Sequence, residues 1–167
     1  MKEGWYIRED YLWSELIKLA KNNVGACGGP FSASIVKRSG SSKYVKVISI
    51  GVNSVTTSFD PTAHAEVNAI RKACTTLGAF QLKGYEIFSS CEPCPMCLGA
   101  IYWARPDAIH FATSKEDAAA AGFDDSFIYK ELKKSYRKRS IPTEQKVIPG
   151  GSVPFVTWKK LKDKVEY

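Results

Sequence analysis

Four side chains in two short segments have the types and the spacing of a metal-assisted hydrolytic site. His64 and Glu66 stand two residues apart, and Cys94 and Cys97 stand three apart further along the chain. One imidazole and two thiols are donors that suit Zn²⁺, and three protein ligands leave the fourth tetrahedral position for water. A carboxylate two residues after the histidine is placed to accept a proton from that water and to return it later. The pattern predicts one zinc ion per chain, bound by His64, Cys94 and Cys97, with Glu66 as the acid–base group.

A structural zinc site is the main alternative for these cysteines. It would need a fourth protein ligand, and the only other histidine is His110. A zinc ribbon built from Cys91, Cys94, Cys97 and one histidine satisfies the spacing rules but leaves Glu66 without a role. A redox Cys-x-x-Cys pair would need no histidine and glutamate upstream. Ligation by Cys91 and Cys94 instead of the later pair also stays open, because a small error in register would exchange them.

The elements that must position these residues follow from the periodicity of apolar positions and from turn signals. The pattern predicts an α/β fold, one sheet between helices, with helices at 10–23, 64–76, 93–103, 116–121, 126–136 and 154–162 and strands at 31–36, 44–52, 85–89 and 107–112. His64 and the two cysteines then begin two successive helices. Side chains tilt toward the N-terminus of a helix, so residues in two first turns can converge on one metal. The positive helix ends also favour the thiolate form that zinc requires.

Length and composition are consistent with one domain over residues 1–167. No apolar run approaches the roughly 20 residues of a membrane span, and the N-terminal residues lack the apolar core of a signal peptide. Five cysteines, three of them clustered, fit a reducing compartment, so we expect a cytoplasmic protein. The net charge of +7 resides entirely in residues 130–167. The one aromatic residue within the basic run 133–139, Tyr136, does not make a stacking platform. We therefore interpret these charges as solvated helix ends and expect neither a nucleic-acid nor a membrane partner.

His-x-Glu followed by Pro-Cys-x-x-Cys resembles the signature of zinc-dependent nucleobase deaminases. Four longer segments resemble the bacterial guanine deaminases of the cytidine deaminase-like fold: 53–57, 60–74, 90–106 and 121–131. The resemblance implies a three-layer α-β-α sandwich with a mixed central sheet. It also implies hydrolysis of guanine to xanthine and ammonia, in purine catabolism or salvage. Zinc-activated hydroxide would attack C2 of the purine, and Glu66 would transfer the proton.

The resemblance further implies residues that contact the purine. Asn53 would hydrogen-bond the base, Phe31 and Trp103 would pack on its ring, and Ala65 would also contact it. Asp125 would hold the 2-amino side and assist proton transfer. From the residues alone, Asn53 also fits a turn, Asp125 also fits an N-cap and Trp103 also fits the core.

Members of this family are homodimers whose C-terminal segments cross over. The resemblance therefore implies that about 150–167 is exchanged between subunits by domain swapping and that Tyr167 closes the partner's pocket. Gly150-Gly-Ser152 fits the hinge that such an exchange needs. The chain departs from the family in a longer hairpin at 37–43 and in an extended N-terminus.

Three other functions stay open. A tRNA adenosine deaminase shares the zinc motifs and could use the basic C-terminal region, although a lid ending in Tyr167 would obstruct a flipped nucleotide that is attached to its chain. Guanosine or a triazine analogue could replace guanine as substrate. A non-catalytic, zinc-stabilised nucleic-acid-binding module would bind zinc without turnover, and its binding would depend steeply on salt.

Overall fold

The computed structural model describes residues 1–167, which form two compact units, 1–125 and 126–167. The first unit contains five strands: β1 (Tyr6–Arg8), β2 (Ser32–Arg38), β3 (Tyr44–Val52), β4 (Glu86–Cys91) and β5 (Ala108–Thr113). Its helices are α1 (Glu9–Gly25), α2 (Val55–Ser58), α3 (Ala65–Leu77), α4 (Pro95–Ala104) and α5 (Lys115–Ala120). The second unit contains α6 (Ser126–Leu132), a 3₁₀ turn (Tyr136–Lys138) and α7 (Val153–Lys160). None of these helices is both long enough and apolar enough to cross a membrane.

The five strands form one sheet in the order β1-β3-β2-β4-β5. Every neighbouring pair is antiparallel except β4 and β5, which are parallel. A parallel pair needs a crossover connection, and here α4 lies between the two strands in the chain. The predicted mixed sheet is therefore confirmed. Since β4 leads directly into the cysteine segment, the position of this strand fixes where the cysteines lie.

Helices cover both faces of the sheet. On one face, α1 buries Leu12 and Leu16 against a cluster that includes Val47 and Phe88. On the other face, α3 and α4 pack over a second cluster that includes Ile35 and Ile87. The three-layer arrangement predicted for the fold is present in the first unit. The spacing of Leu12 and Leu16 by four residues is that of a helix stripe facing a core.

Helix α3 lies in backbone contact with β3. A Cβ atom added at Gly51 would lie 2.2 Å from the carbonyl oxygen of Ala65 and 2.6 Å from the amide nitrogen of Ala69. The Ser49 hydroxyl donates to the Ala69 carbonyl at 2.7 Å, which anchors the same turn of the helix. Glycine is therefore required at position 51 for this close approach. The approach fixes the first turn of α3, where His64 and Glu66 stand.

Most predicted elements are confirmed with shifts of one to three residues at their ends. Two short elements were missed, β1 and α2. Three residues of an edge strand and a single helical turn carry too little periodicity to be recognised. The helix predicted over 126–136 was too long, because α6 ends at Leu132 and only a 3₁₀ turn follows at Tyr136–Lys138. The predicted helix over 93–103 begins at Pro95, with Cys94 as its N-cap.

The second unit has no buried side chain of its own. Large apolar residues remain exposed along it, among them Ile141, Val147, Phe155 and Leu161. A segment with this composition normally covers its apolar side chains against another surface, since extended apolar patches are uncommon on isolated proteins.

Candidate metal and active site

The ends of two helices bring the predicted metal ligands together. His64 is the N-cap of α3, and Cys94 is the N-cap of α4, where its sulfur accepts a hydrogen bond from the Cys97 amide at 3.5 Å. Nδ1 of His64 lies 3.5 Å from Sγ of Cys94 and 3.4 Å from Sγ of Cys97. The ligand atoms of all three residues lie within 4.8 Å of one another. The sequence placed these residues in two first turns, and the structure shows them in contact.

The dimensions of this cluster suit zinc. Tetrahedral zinc with Zn–N of about 2.0 Å and Zn–S of about 2.3 Å holds its nitrogen and sulfur ligands about 3.5 Å apart. The nitrogen–sulfur distances of 3.4 and 3.5 Å match that separation. Cys91 is not a member of the cluster, because its thiol donates to the carbonyl of Ser114 at 3.5 Å.

The two cysteines of the cluster shift each other's pKa in opposite directions. The pKa of Cys94 is lowered to about 4, chiefly by its contact with the Cys97 side chain and further by His64, although burial opposes the shift. The pKa of Cys97 is raised by its hydrogen bond to Cys94 and by burial. The hydrogen bond to Cys94 also raises the pKa of His64. A thiolate is thus already stabilised at the place where a cation would bind, and a bound cation would displace the remaining proton.

Glu66 is buried beside the cluster, with 6% of its surface exposed. Its Oε1 accepts a hydrogen bond from the Ser89 hydroxyl at 3.3 Å, and its Oε2 accepts one from the Cys97 thiol at 3.4 Å. Burial raises the pKa of this carboxyl. A raised pKa brings a carboxylic acid toward the range in which it can both accept and return a proton at neutral pH.

Ser89 was missed by the sequence analysis. It lies on β4 two residues before Cys91, so the two side chains point to the same face of the sheet. The alternation of side chains along β4 was the available signal. It does not indicate a contact with Glu66 until the packing of α3 against the sheet is known.

A cavity of about 390 Å³ opens above the cluster, within the size range of small-molecule sites. Six residues predicted as site residues line it: Phe31, Asn53, His64, Glu66, Cys94 and Asp125. The sequence analysis did not predict Phe123, which also lines the cavity. Its ring meets that of Phe31 edge to face, with centroids 5.0 Å apart. The pair forms an apolar wall suited to a flat aromatic ligand.

Asp125 is a half-buried carboxyl in the cavity lining. Its pKa is raised by burial first and by the negative charge of Cys94 second. The structure therefore places two carboxyl groups, Glu66 and Asp125, around one cavity, each with its pKa raised by burial. Such paired carboxyls are typical of sites that move protons.

Three predicted substrate residues lie outside the cavity lining. The Ala65 side chain is fully buried in the core between α3 and the sheet. Trp103 is 65% exposed on α4, so it is not a core residue. Tyr167 belongs to the second unit, where its ring lies 6.5 Å from that of Trp158. Substrate contacts by these three residues stay predictions.

Comparisons with known proteins place this site in a family. The model of the cytidine and deoxycytidylate deaminase zinc-binding region matches residues 7–113. The guanine deaminase of Bacillus subtilis (strain 168) is 54% identical over 152 residues, which cover 90% of this chain and 94% of the relative. The crystal structure of guanine deaminase from Bacillus subtilis matches with a TM-score of 0.88 and 51% identity, covering 96% of this chain and 99% of the other.

A more distant relative matches a smaller share of the chain. The tRNA-specific adenosine deaminase of Aquifex aeolicus is 35% identical over 104 residues, which are 62% of this chain and 65% of that protein. The similarity to guanine deaminase extends much further. The predicted resemblance and the cytidine deaminase-like fold are both confirmed, and the chain belongs to the cytidine and deoxycytidylate deaminase family of zinc-dependent enzymes.

Proposed function

We propose that this protein is a zinc-dependent guanine deaminase that hydrolyses guanine to xanthine and ammonia. The observation that carries the proposal is the buried Glu66 carboxyl beside the cluster of His64, Cys94 and Cys97, at the base of a cavity with an aromatic wall. The similarity to guanine deaminase over 90% of the chain favours guanine over other amino-substituted bases.

The residues of the site divide the reaction between them. His64, Cys94 and Cys97 would hold one zinc ion, which supplies a nucleophilic water by lowering the pKa of that water. Glu66 would accept one proton of this water and transfer it to the ring nitrogen next to C2 as the water oxygen bonds to C2. It would then take the second proton from that oxygen and give it to the amine as the C2–N bond breaks, so that water and guanine become xanthine and ammonia. Ser89 holds Oε1 of Glu66 by a hydrogen bond at 3.3 Å, which keeps the carboxylate oriented through both transfers.

The cavity supplies groups for binding the base. Phe31 and Phe123 pack against the purine ring, and Asn53 hydrogen-bonds its edge. Asp125 faces the 2-amino group and assists the proton transfer at the leaving amine. Their presence in the cavity lining supports these roles. Contacts by Ala65, Trp103 and Tyr167 belong to the same proposal through the family resemblance.

We further propose a homodimer in which the segment 150–167 is exchanged and Tyr167 closes the partner's pocket. In support, no side chain in 126–167 is buried, although the segment carries many large apolar residues. The five cysteines are free thiols, in keeping with a cytoplasmic enzyme. Light scattering of the intact chain and of a chain ending at residue 149 tests the dimer, which should be lost in the shorter protein.

Deamination of tRNA adenosine is the second candidate, favoured by the net charge of +7 in residues 130–167. Ammonia release from guanine, guanosine, adenine, cytosine, cytidine and a tRNA anticodon stem separates the candidates. Glu66→Gln serves as the blank for each substrate. We expect guanine to give the highest kcat/KM. A preference for guanosine or for the anticodon stem would refute the assignment, and zinc binding without turnover of any substrate would indicate a non-catalytic module.

A further inference from the structure

Asn53, at the edge of the cavity, has all but one of its hydrogen-bonding groups engaged within the protein. Its backbone N–H donates to the Phe31 carbonyl at 3.1 Å, and its carbonyl accepts from Nδ2 of Asn23 at 2.7 Å. Its side-chain Oδ1 accepts from the backbone N–H groups of Gly29 and Val55, both at 3.3 Å. Only the side-chain Nδ2 group has no hydrogen bond in the protein.

These contacts fix which way the Asn53 amide points. Two N–H donors can be satisfied only by an oxygen, so Oδ1 must face Gly29 and Val55. Nδ2 is then on the opposite side of the amide, and Asn53 lines the cavity with 7% of its surface exposed. Asn53 therefore presents a hydrogen-bond donor to whatever occupies the cavity. Its partner on the ligand must be an acceptor, a carbonyl oxygen or an unprotonated ring nitrogen.

Asn23, in the last two turns of α1, holds this arrangement in place. Its Nδ2 donates to the carbonyls of both Gly29 and Asn53, each at 2.7 Å. Because both partners are carbonyl oxygens, the orientation of the Asn23 amide is fixed as well. The Asn23 side chain therefore links Gly29 to Asn53, the two residues that are also joined by the hydrogen bond from the Gly29 amide to Oδ1 of Asn53.

The neighbouring glycine leaves room for this bridge. A Cβ atom at Gly28 would lie 2.3 Å from Nδ2 of Asn23 and 2.7 Å from the carbonyl oxygen of Asn53. Any side chain at this position would displace the Asn23 amide. The close packing indicates that the bridge is tightly held against residues of the cavity lining and is not a loose surface contact.

We propose that Asn23 is a positioning residue for substrate recognition, acting through Asn53. It fixes the Asn53 backbone and the Gly29 amide, and these set the direction in which the Asn53 NH₂ group meets an acceptor on the base. The inference rests on the proposed contact between Asn53 and the substrate. Asn23 itself does not line the cavity, so its effect on the substrate is indirect.

The test is a double-mutant cycle with Asn23→Asp and Asn53→Ala. Asn23→Asp keeps the size of the side chain but replaces the NH₂ donor by a carboxylate oxygen, which cannot donate to the carbonyls of Gly29 and Asn53. We expect it to lower kcat/KM for guanine by about tenfold or more, mainly through a higher KM, because the binding contact is misdirected. In the Asn53→Ala background the same change should alter kcat/KM by less than about twofold, because the donor that it positions is gone.

Asn22→Asp is the matched control, since it makes the same chemical change one residue earlier on an exposed part of α1. We expect wild-type kinetics for it. Zinc content and melting temperature of every variant show whether the protein is folded, and Asn23→Ala replaces Asn23→Asp if that variant does not fold. Wild-type kinetics for Asn23→Asp would overturn the proposal. So would an equal loss in the Asn53→Ala background, which would make Asn23 a purely structural residue.

Failure of the proposed guanine deaminase activity can be distinguished from failure of the role proposed for Asn23. If the wild-type protein does not deaminate guanine, that assignment fails on the parent enzyme alone. The cycle is then measured on whichever base the parent deaminates, since it compares variants with the parent on one substrate.

Discussion

Replacement of Glu66 by glutamine tests the central acid–base assignment with little change in shape. Glutamine can keep the hydrogen bond that Ser89 now donates to Oε1 at 3.3 Å, because an amide oxygen accepts as a carboxylate oxygen does. Its NH₂ group then faces the Cys97 sulfur in place of Oε2. The substitution therefore removes the ability to carry a proton and leaves the packing intact. A positioned acid–base group contributes about 10²–10⁴-fold, so we expect a loss of turnover of that size, or about 2.7–5.5 kcal/mol in the barrier.

In the zinc-free protein, the same substitution is expected to leave stability unchanged or to raise it. Burial raises the pKa of Glu66, so the folded state disfavours the ionised carboxylate. This cost is absent below the unfolded pKa, where the carboxyl is neutral in both states, and it is complete above the raised folded pKa. Glutamine carries no such cost at any pH.

The assay combines guanine-dependent ammonia release, zinc content and thermal melting. Glu116→Gln, an exposed carboxylate in the first turn of α5, is the matched control and should behave as the parent does. Turnover by Glu66→Gln within a few fold of the parent would refute the acid–base role. Loss of zinc together with activity would show that Glu66 maintains the metal site. The loss of turnover would then not be evidence for proton transfer by Glu66.

Metal analysis and ammonia release should show that Cys97→Ala loses both zinc and turnover. Cys91→Ala should keep zinc, because the Cys91 thiol contacts Ser114 and is not in the cluster. The reverse result would assign the ligand to Cys91. Glu86→Gln should lower the free energy of unfolding by about 1–3 kcal/mol at neutral pH without changing turnover, because Arg38 holds the pKa of Glu86 below its usual value of 4.5. That stabilisation is present above the unfolded pKa of Glu86 and is lost as the pH falls through the depressed folded pKa. Urea unfolding should therefore show that the difference in unfolding free energy between Glu86→Gln and the parent disappears in acid. A difference that does not depend on pH would contradict this. Deletion of residues 166–167 should spare folding and zinc but strongly reduce guanine deamination, and normal turnover by the truncated enzyme would refute the lid.

The cluster of His64, Cys94 and Cys97 could be predicted from the sequence because the residue types and their spacing are local features. Cys94 and Cys97 stand three residues apart behind a proline-rich helix start, and His64 and Glu66 occupy the first turn of another helix. Each pair predicts its own helix face. That the two faces meet depended on one further inference, that the first turns of two successive helices can converge on one metal.

Contacts made by long-range pairing could not be predicted in the same way. Ser89 reaches Glu66 across 23 residues, and Asn23 reaches Asn53 across 30. Serine and asparagine fit turns, caps and surfaces equally well, so their types alone carry little information. Their roles appear only when the register of the sheet and the position of α1 against it are known. The short strand β1 escaped prediction for a related reason, since its pairing with β3 and not its own pattern defines it.

The site depends on backbone packing as much as on its reactive side chains. Gly51 lets α3 lie directly on β3, and this contact sets the height of the first turn above the sheet. His64 caps that turn and Glu66 lies in it, so one packing contact positions two residues of the candidate site. In the cavity lining, Gly28 leaves room for the Asn23 amide, which donates to the Asn53 carbonyl. Two glycines with no chemistry of their own are therefore required for the packing that holds His64, Glu66 and Asn53 in place.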